Sequence, residues 1–370
     1  MSRKTISVVK KANKKQKFPP SGTYPSLHNN NLLLTSTGIP SFDNVLGGGI
    51  PVGSVLLIEE DLNNRFSKLM LKYFLAEGVA CKHGLCVVNE VATNESLLNE
   101  LPKLIPKDIN APVKKLNDDM KIAFRYKDPS TIQKTISNVS KQGHYYDITK
   151  KMESMKIDEC DCSEIIVEDF VPSCWDEEDI FKFALTSLKN KIQQKIYTVP
   201  EKLEDVDELK VCRIVIPSFG SPFWCANNSK GVKYISRFLL WLRGLIRKSM
   251  TVCVVSIPCN LYTEKNMAQF RHMADCAIKL KSFAGEKKNP LFKQYHGLFK
   301  IKKLPCLNSL VPYVPQTLDL AFELKRTKFV IEYLHLPPDI GENASRQGTE
   351  EVNIIKSSPC GGGFNSKLDF

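Results

Sequence analysis

Val55-Leu56-Leu57-Ile58-Glu59-Glu60-Asp61-Leu62-Asn63-Asn64-Arg65-Phe66-Ser67 is the stretch that decides the fold. Its apolar opening, reached through Gly53, predicts a buried strand. Phe66, Leu69, Met70, Tyr73 and Phe74 then recur at helical spacing as far as Gly78, a natural helix stop. Strand, tight turn and helix in this order form the frame in which a phosphate-binding loop sits. The turn, however, lacks the pattern G-x-x-x-x-G-K-[ST]. With Glu60 at the first glycine, Arg65 takes the second, Phe66 the lysine and Ser67 the Ser/Thr. Only Ser67 keeps its type, and serine is common at helix starts anyway.

Glycines in such a loop let backbone N–H groups curl around phosphates, the lysine meets the outer phosphates, and the hydroxyl holds Mg²⁺. Here Glu59, Glu60 and Asp61 precede the helix. Each would repel a phosphate charge by ~1 kcal/mol per pair even with water-like screening. They read as the protein's own anions capping the helix, with Mg²⁺ binding as the competing reading. The metal-binding strand of an ATPase should end in an aspartate. Val211 to Ile216 is such an apolar run, but Pro217-Ser218 follows it. Ile165-Ile166-Val167, ending in Glu168-Asp169, is the competitor; its plain reading is a strand before an acidic loop. Autonomous ATP hydrolysis is therefore not expected.

The chain has 370 residues, enough for one large domain or two ordinary ones. No run approaches the roughly 18–20 apolar residues of a membrane span, so no membrane association is expected. The basic N-terminus lacks an apolar core and predicts no secretory signal. The 12 cysteines are scattered, with Cys212 and Cys253 inside apolar runs, which suggests reduced thiols in the cytosol or nucleus. Net charge is +12, and Arg3, Lys4, Lys10, Lys11, Lys14, Lys15 and Lys17 contribute over half of it without an intervening acid. This arm would add salt-sensitive RNA affinity, serve as a nuclear signal, or simply solubilise.

Residues 1–30 read as a basic disordered tail and linker, 31–338 as one domain, and 339–370 as a disordered C-terminal tail. A short helix is expected over Ser41–Leu46, capped by Ser41 and stopped by Gly47-Gly48-Gly49. Further helices are expected from Thr93 to Leu101, Ser130 to Lys141, Asp176 to Lys195 and Val232 to Lys248. Strands are expected at Leu85–Val88, 211–216 and Thr251–Ile257, with a weak edge strand at Ile122–Phe124 and loop over 102–119. Ala277–Leu280, Gly297–Lys302 and Phe329–Tyr333 suggest a C-terminal β meander. Apolar strands alternating with helices imply a mainly parallel sheet covered on both faces, with ligands at the carboxyl ends of the strands.

Taken together, the motifs resemble the Elongator complex protein 4, or PAXNEB, family. The match runs from about Ser36 to Pro338. It includes Gly47-Gly48-Gly49-Ile50-Pro51-Val52-Gly53, Lys72-Tyr73-Phe74-Leu75-Ala76-Glu77-Gly78, Tyr146-Asp147-Ile148-Thr149, Arg213 through Pro222, Leu307 through Pro312, and Leu334-His335-Leu336-Pro337-Pro338. The resemblance implies an α/β, RecA-like three-layer fold with a mainly parallel central sheet flanked by helices and a degenerate P-loop. It implies a non-catalytic pseudo-ATPase subunit of the Elongator complex. With complex proteins five and six it would build a hexameric ring that binds tRNA and supports wobble-uridine (U34) modification. The family characteristically lacks nucleotide-binding motifs, so no cofactor is expected on this chain; ATP belongs at ring interfaces if anywhere. Cytoplasmic and nuclear localisation follows.

Central loops of a RecA ring follow the strands at 211–216 and 252–257. Lys230, Lys233, Lys265 and Arg271 lie in or just after them and are the candidate tRNA phosphate contacts. Trp224, with Phe223, is the candidate for stacking a base; packing is the plain alternative. An ATP-hydrolysing RecA/KaiC-type protein, with Arg65 on phosphate and Glu168 or Asp169 on Mg²⁺, is the rival function. A DNA-binding recombinase relative is the third.

Overall fold

The computed structural model describes residues 19–27, 32–90, 96–106, 143–168, 177–194, 196–198, 209–224, 229–285, 294–309 and 311–334. Its centre is a sheet of 9 strands. Six are parallel neighbours: β11 (Cys276–Ser282), β4 (Val55–Glu59), β10 (Thr251–Ile257), β9 (Cys212–Ile216), β5 (Gly84–Asn89) and β8 (Cys162–Ile166), in that spatial order. β12 (Gly297–Lys303), β13 (Leu320–Leu324) and β14 (Phe329–Tyr333) continue it antiparallel from β11. Every residue of β4, β9 and β10 is buried, as expected for parallel strands covered on both faces.

α2 (Arg65–Ala80) covers one face with α1 (Pro40–Val45), and Phe66, Met70, Tyr73 and Phe74 pack onto Leu56, Ile58, Ile278 and Phe322. α4 (Glu177–Ile192), α5 (Ser229–Arg247) and α6 (Glu264–Met273) cover the other, through Leu188, Leu242 and Phe270 against Leu57, Ile214 and Val255. Arg213 on β9 is fully buried beneath α2. It donates to His83 Nδ1, Thr35 Oγ1 and the carbonyls of Ser36 and Phe74, and lies over the Phe74 ring at 4.5 Å. A buried guanidinium is tolerated only when so fully satisfied.

Several expectations are corrected. Ser41 is not the cap of α1: Ile39 holds that position and Pro40 opens the helix, because proline's fixed φ suits the first turn. The Ser41 hydroxyl instead accepts from the Ile331 amide of β14. Of the helix expected from Thr93 to Leu101, the described residues form a single 3₁₀ turn over Leu97–Glu100, capped by Ser96; Thr93 lies outside the described residues. The expected loop contains β6 (Pro102–Ile105), paired antiparallel with β7 (Tyr145–Lys151). β13 and α6 were not anticipated, nor was the short α3 (Ser154–Asp158). The Ile122–Phe124 strand and the helix from Ser130 lie outside the described residues. Among the described residues, no helix is long and apolar enough to cross a membrane.

Candidate functional site

The turn between β4 and α2 lies at the carboxyl end of the parallel strands. Asn64 adopts a left-handed backbone (φ 50°) that swings the chain into α2. The first three amides of the helix then converge on one buried carboxylate. Asp61 Oδ1 accepts from the amides of Phe66 (3.1 Å) and Ser67 (3.0 Å), and Oδ2 from that of Arg65 (3.1 Å). Ser67 Oγ is 2.9 Å from Asp61 Oδ1 and 2.6 Å from Asn64 Oδ1; its single proton serves one of them at a time. Asp61 is 3 % exposed. The amide cradle that would hold a phosphate at a helix start is thus occupied by the chain's own anion.

The three acids were expected to cap the helix together; instead they divide, and Asp61 alone caps it. Pleating turns Glu59 toward the α6 face, where it pairs with Arg271 and, at 3.5 Å, Lys279. Glu60 reaches across the strand ends to the hydroxyls of Ser256 (2.6 Å) and Ser218 (3.0 Å). Burial raises its pKa, Asp61's charge adds to the rise, and the serine bonds oppose it. Ser218 stands where the metal-binding strand should supply a carboxylate; its hydroxyl accepts from Asn64 Nδ2 at 2.7 Å and its amide donates to Ser256. One polar mesh therefore ties the ends of β4, β9 and β10 together.

Phe66, at the lysine position, turns into the core, its ring 4.7 Å from that of Phe322. Arg65 is exposed. Glu168 follows β8 at the sheet edge, four strands from β4, roughly 19 Å away at ordinary strand spacing. That separation prevents it from sharing a metal ion with Ser67; Asp169 lies outside the described residues. Glu90, which sequence reasoning missed, directly follows β5 and accepts from Ser221 Oγ at 2.5 Å; burial raises its pKa. An acid directly after a buried strand was the available signal. Glu77, Cys81 and His144 form the one described group whose ligand atoms approach within 4.8 Å of one another. Glu77 already accepts from the Tyr146 hydroxyl and pairs with His144.

The loop residues scatter. Trp224 is fully buried, its ring 4.8 Å from Phe219 and 6.0 Å from Phe181, so it presents no face to a base in this conformation. Phe223 is 70 % exposed. Lys230 and Lys233 are exposed on the first turn and a half of α5, and Lys265 on α6. Arg271, also on α6, is engaged by Glu59 and Glu264.

Fold and corner together define an α/β protein with a mainly parallel, helix-flanked sheet, in which a carboxylate of the chain fills the amide cradle at the start of α2. The family described as "PAXNEB protein" matches residues 15–370, and the chain belongs to that family. It is 37 % identical to Elongator complex protein 4 of Danio rerio, over 99 % of this chain and 96 % of that one. Identity to the Homo sapiens protein of the same name is 36 %, over 95 % and 88 %; to that of Saccharomyces cerevisiae it is 25 %, over 84 % and 75 %. A KaiC-like protein from Pyrococcus horikoshii superposes with a TM-score of 0.41 at 12 % identity, covering 81 % of this chain and 98 % of that one.

Proposed function

We propose that this chain is a non-catalytic, RecA-like subunit of an Elongator complex, forming a hexameric ring with complex proteins five and six. The ring binds tRNA in support of wobble-uridine modification, and works in cytoplasm and nucleus. Relatives named Elongator complex protein 4, matched over nearly their whole length, support membership of the complex. The observation that carries the pseudo-ATPase reading is Asp61 seated among the first three amides of α2. A triphosphate there would have to displace a buried carboxylate and then face Glu60. Two measurements test the reading. Calorimetric titration of the isolated chain with Mg-ATP should give no saturable binding. The assembly purified from cells with the tagged chain should contain two other RecA-like proteins in equal amounts and bind tRNA. Tight ATP binding at the corner would favour the hydrolysing alternative.

A further inference from the structure

The sheet face beside α6 carries a group of lysines, of which Lys279 alone reaches an acid of the corner. β11 and β12 pair with Lys279 directly opposite Lys300 and Lys281 opposite Leu298. Strand alternation sends Ile278, Leu280 and Phe299 into the core under α2, so Lys279, Lys281 and Lys300 share the other face. Register shifts between Ala277 and Ile278, and Lys302 sits at that irregularity. Lys281, Lys300 and Lys302 are exposed; Lys279 is partly buried. Lys279 reaches Glu59 at 3.5 Å, whereas neither Lys300 nor Lys302 has an acid within ion-pair distance among the described residues. Lys303, the last residue of β12, donates to the carbonyls of Arg271, His272 and Ala274, which places that end of the ladder against the end of α6.

Like charges directly opposite one another destabilise a sheet, so this arrangement works against folding. Lysines two apart on each strand stand roughly 7 Å from one another, with the rows about 5 Å apart. Two positive rows at that spacing match a ligand whose negative charge repeats along a chain. Protein interfaces centre on apolar and aromatic anchors, whereas nucleic-acid interfaces are polar and strongly positive. The ladder offers only the partly buried Leu298 as an apolar group.

We propose that the lysine ladder of β11 and β12 holds the sugar-phosphate backbone of RNA. This rests on the tRNA-binding reading above and assigns the RNA a location on this chain, on a sheet face rather than in the loops. The test is titration of a labelled tRNA transcript with the purified assembly carrying Lys300→Gln and Lys302→Gln, over a range of salt. Affinity should fall about tenfold at moderate salt. The slope of log affinity against log salt should flatten by about 1.4, about 0.7 for each lysine removed. Lys325→Gln, whose lysine is paired with Glu323 and Glu332, should leave both unchanged. Because the ladder lysines are exposed and mutually repulsive, the variant should melt no lower than wild type. A wild-type assembly that binds no tRNA overturns the functional reading and this inference with it. Wild-type binding that the double variant preserves, in affinity and slope, overturns this inference alone.

Discussion

Replacing Asp61 by alanine tests the corner directly. Three amides, two of them buried, lose their acceptor, the Ser67 hydroxyl is left with Asn64 alone, and the first turn of α2 loses the charge opposing its dipole. A lost cap costs about 1–2 kcal/mol, and a charge at a partly buried helix terminus contributes up to about 2 kcal/mol. Since one carboxylate serves all the donors, these terms overlap rather than add. We expect Asp61→Ala to lower unfolding free energy by about 2 kcal/mol. Asp61→Asn should lose about half of that, because an amide can face two of the N–H groups but turns a donor toward the third. Urea denaturation at constant m measures both. The alanine variant should also regain an anion site. Sulfate at ten times its dissociation constant would add about 1.4 kcal/mol to that variant alone. Sulfate's general exclusion effect acts on both proteins and cancels in the difference. A loss below about 0.5 kcal/mol in Asp61→Ala, or equal sulfate stabilisation of the two proteins, would refute the argument.

Other outcomes follow from the core. Arg213→Met strands the carbonyls of Ser36 and Phe74, along with Thr35 and His83; it should cost about 3–5 kcal/mol in denaturant titrations. Trp224→Ala empties the aromatic cluster of Phe181, Phe219 and Phe238 and should cost about 3–5 kcal/mol; if Trp224 instead stacks on RNA, stability would hold while tRNA affinity fell. His83 is pushed down from 6.5 to about 3 by burial and then by the Arg213 charge. Its stabilising contribution is complete above pH 6.5 and drains away as pH falls toward 3. The slope is at most about 1.4 kcal/mol per pH unit, and it should vanish from the difference curve in His83→Gln. Gly84→Ala would place a methyl 2.0 Å from the Tyr197 hydroxyl and should destabilise by about 1–3 kcal/mol, read as a lowered midpoint.

The central strands and α2 were legible in the sequence because burial on both faces writes itself as unbroken apolar runs. α6 was not, since Met267 and Phe270 are its only buried side chains and two apolar positions make no period. β6 and β7 escaped because their pairing spans 39 intervening residues, so no hairpin signal links them. The self-capping anion was foreseen as a group of three acids. Which acid does it depends on strand pleat: Glu59 and Glu60 leave β4 on opposite sides, and only Asp61 meets the helix axis. The burial of Trp224 depends on Phe181 and Phe238, residues on the two helices that flank β9 in the chain, a packing that local sequence cannot report.

A side chain that stands in for phosphate has a thermodynamic corollary. A phosphate bound at a helix start comes and goes with its concentration, and the stabilisation it gives rises and falls with it. Asp61 is covalently tethered and never departs. The start of α2 is therefore held with its cradle filled at every concentration of dissolved anion, a fixed corner of the sheet rather than a moving one.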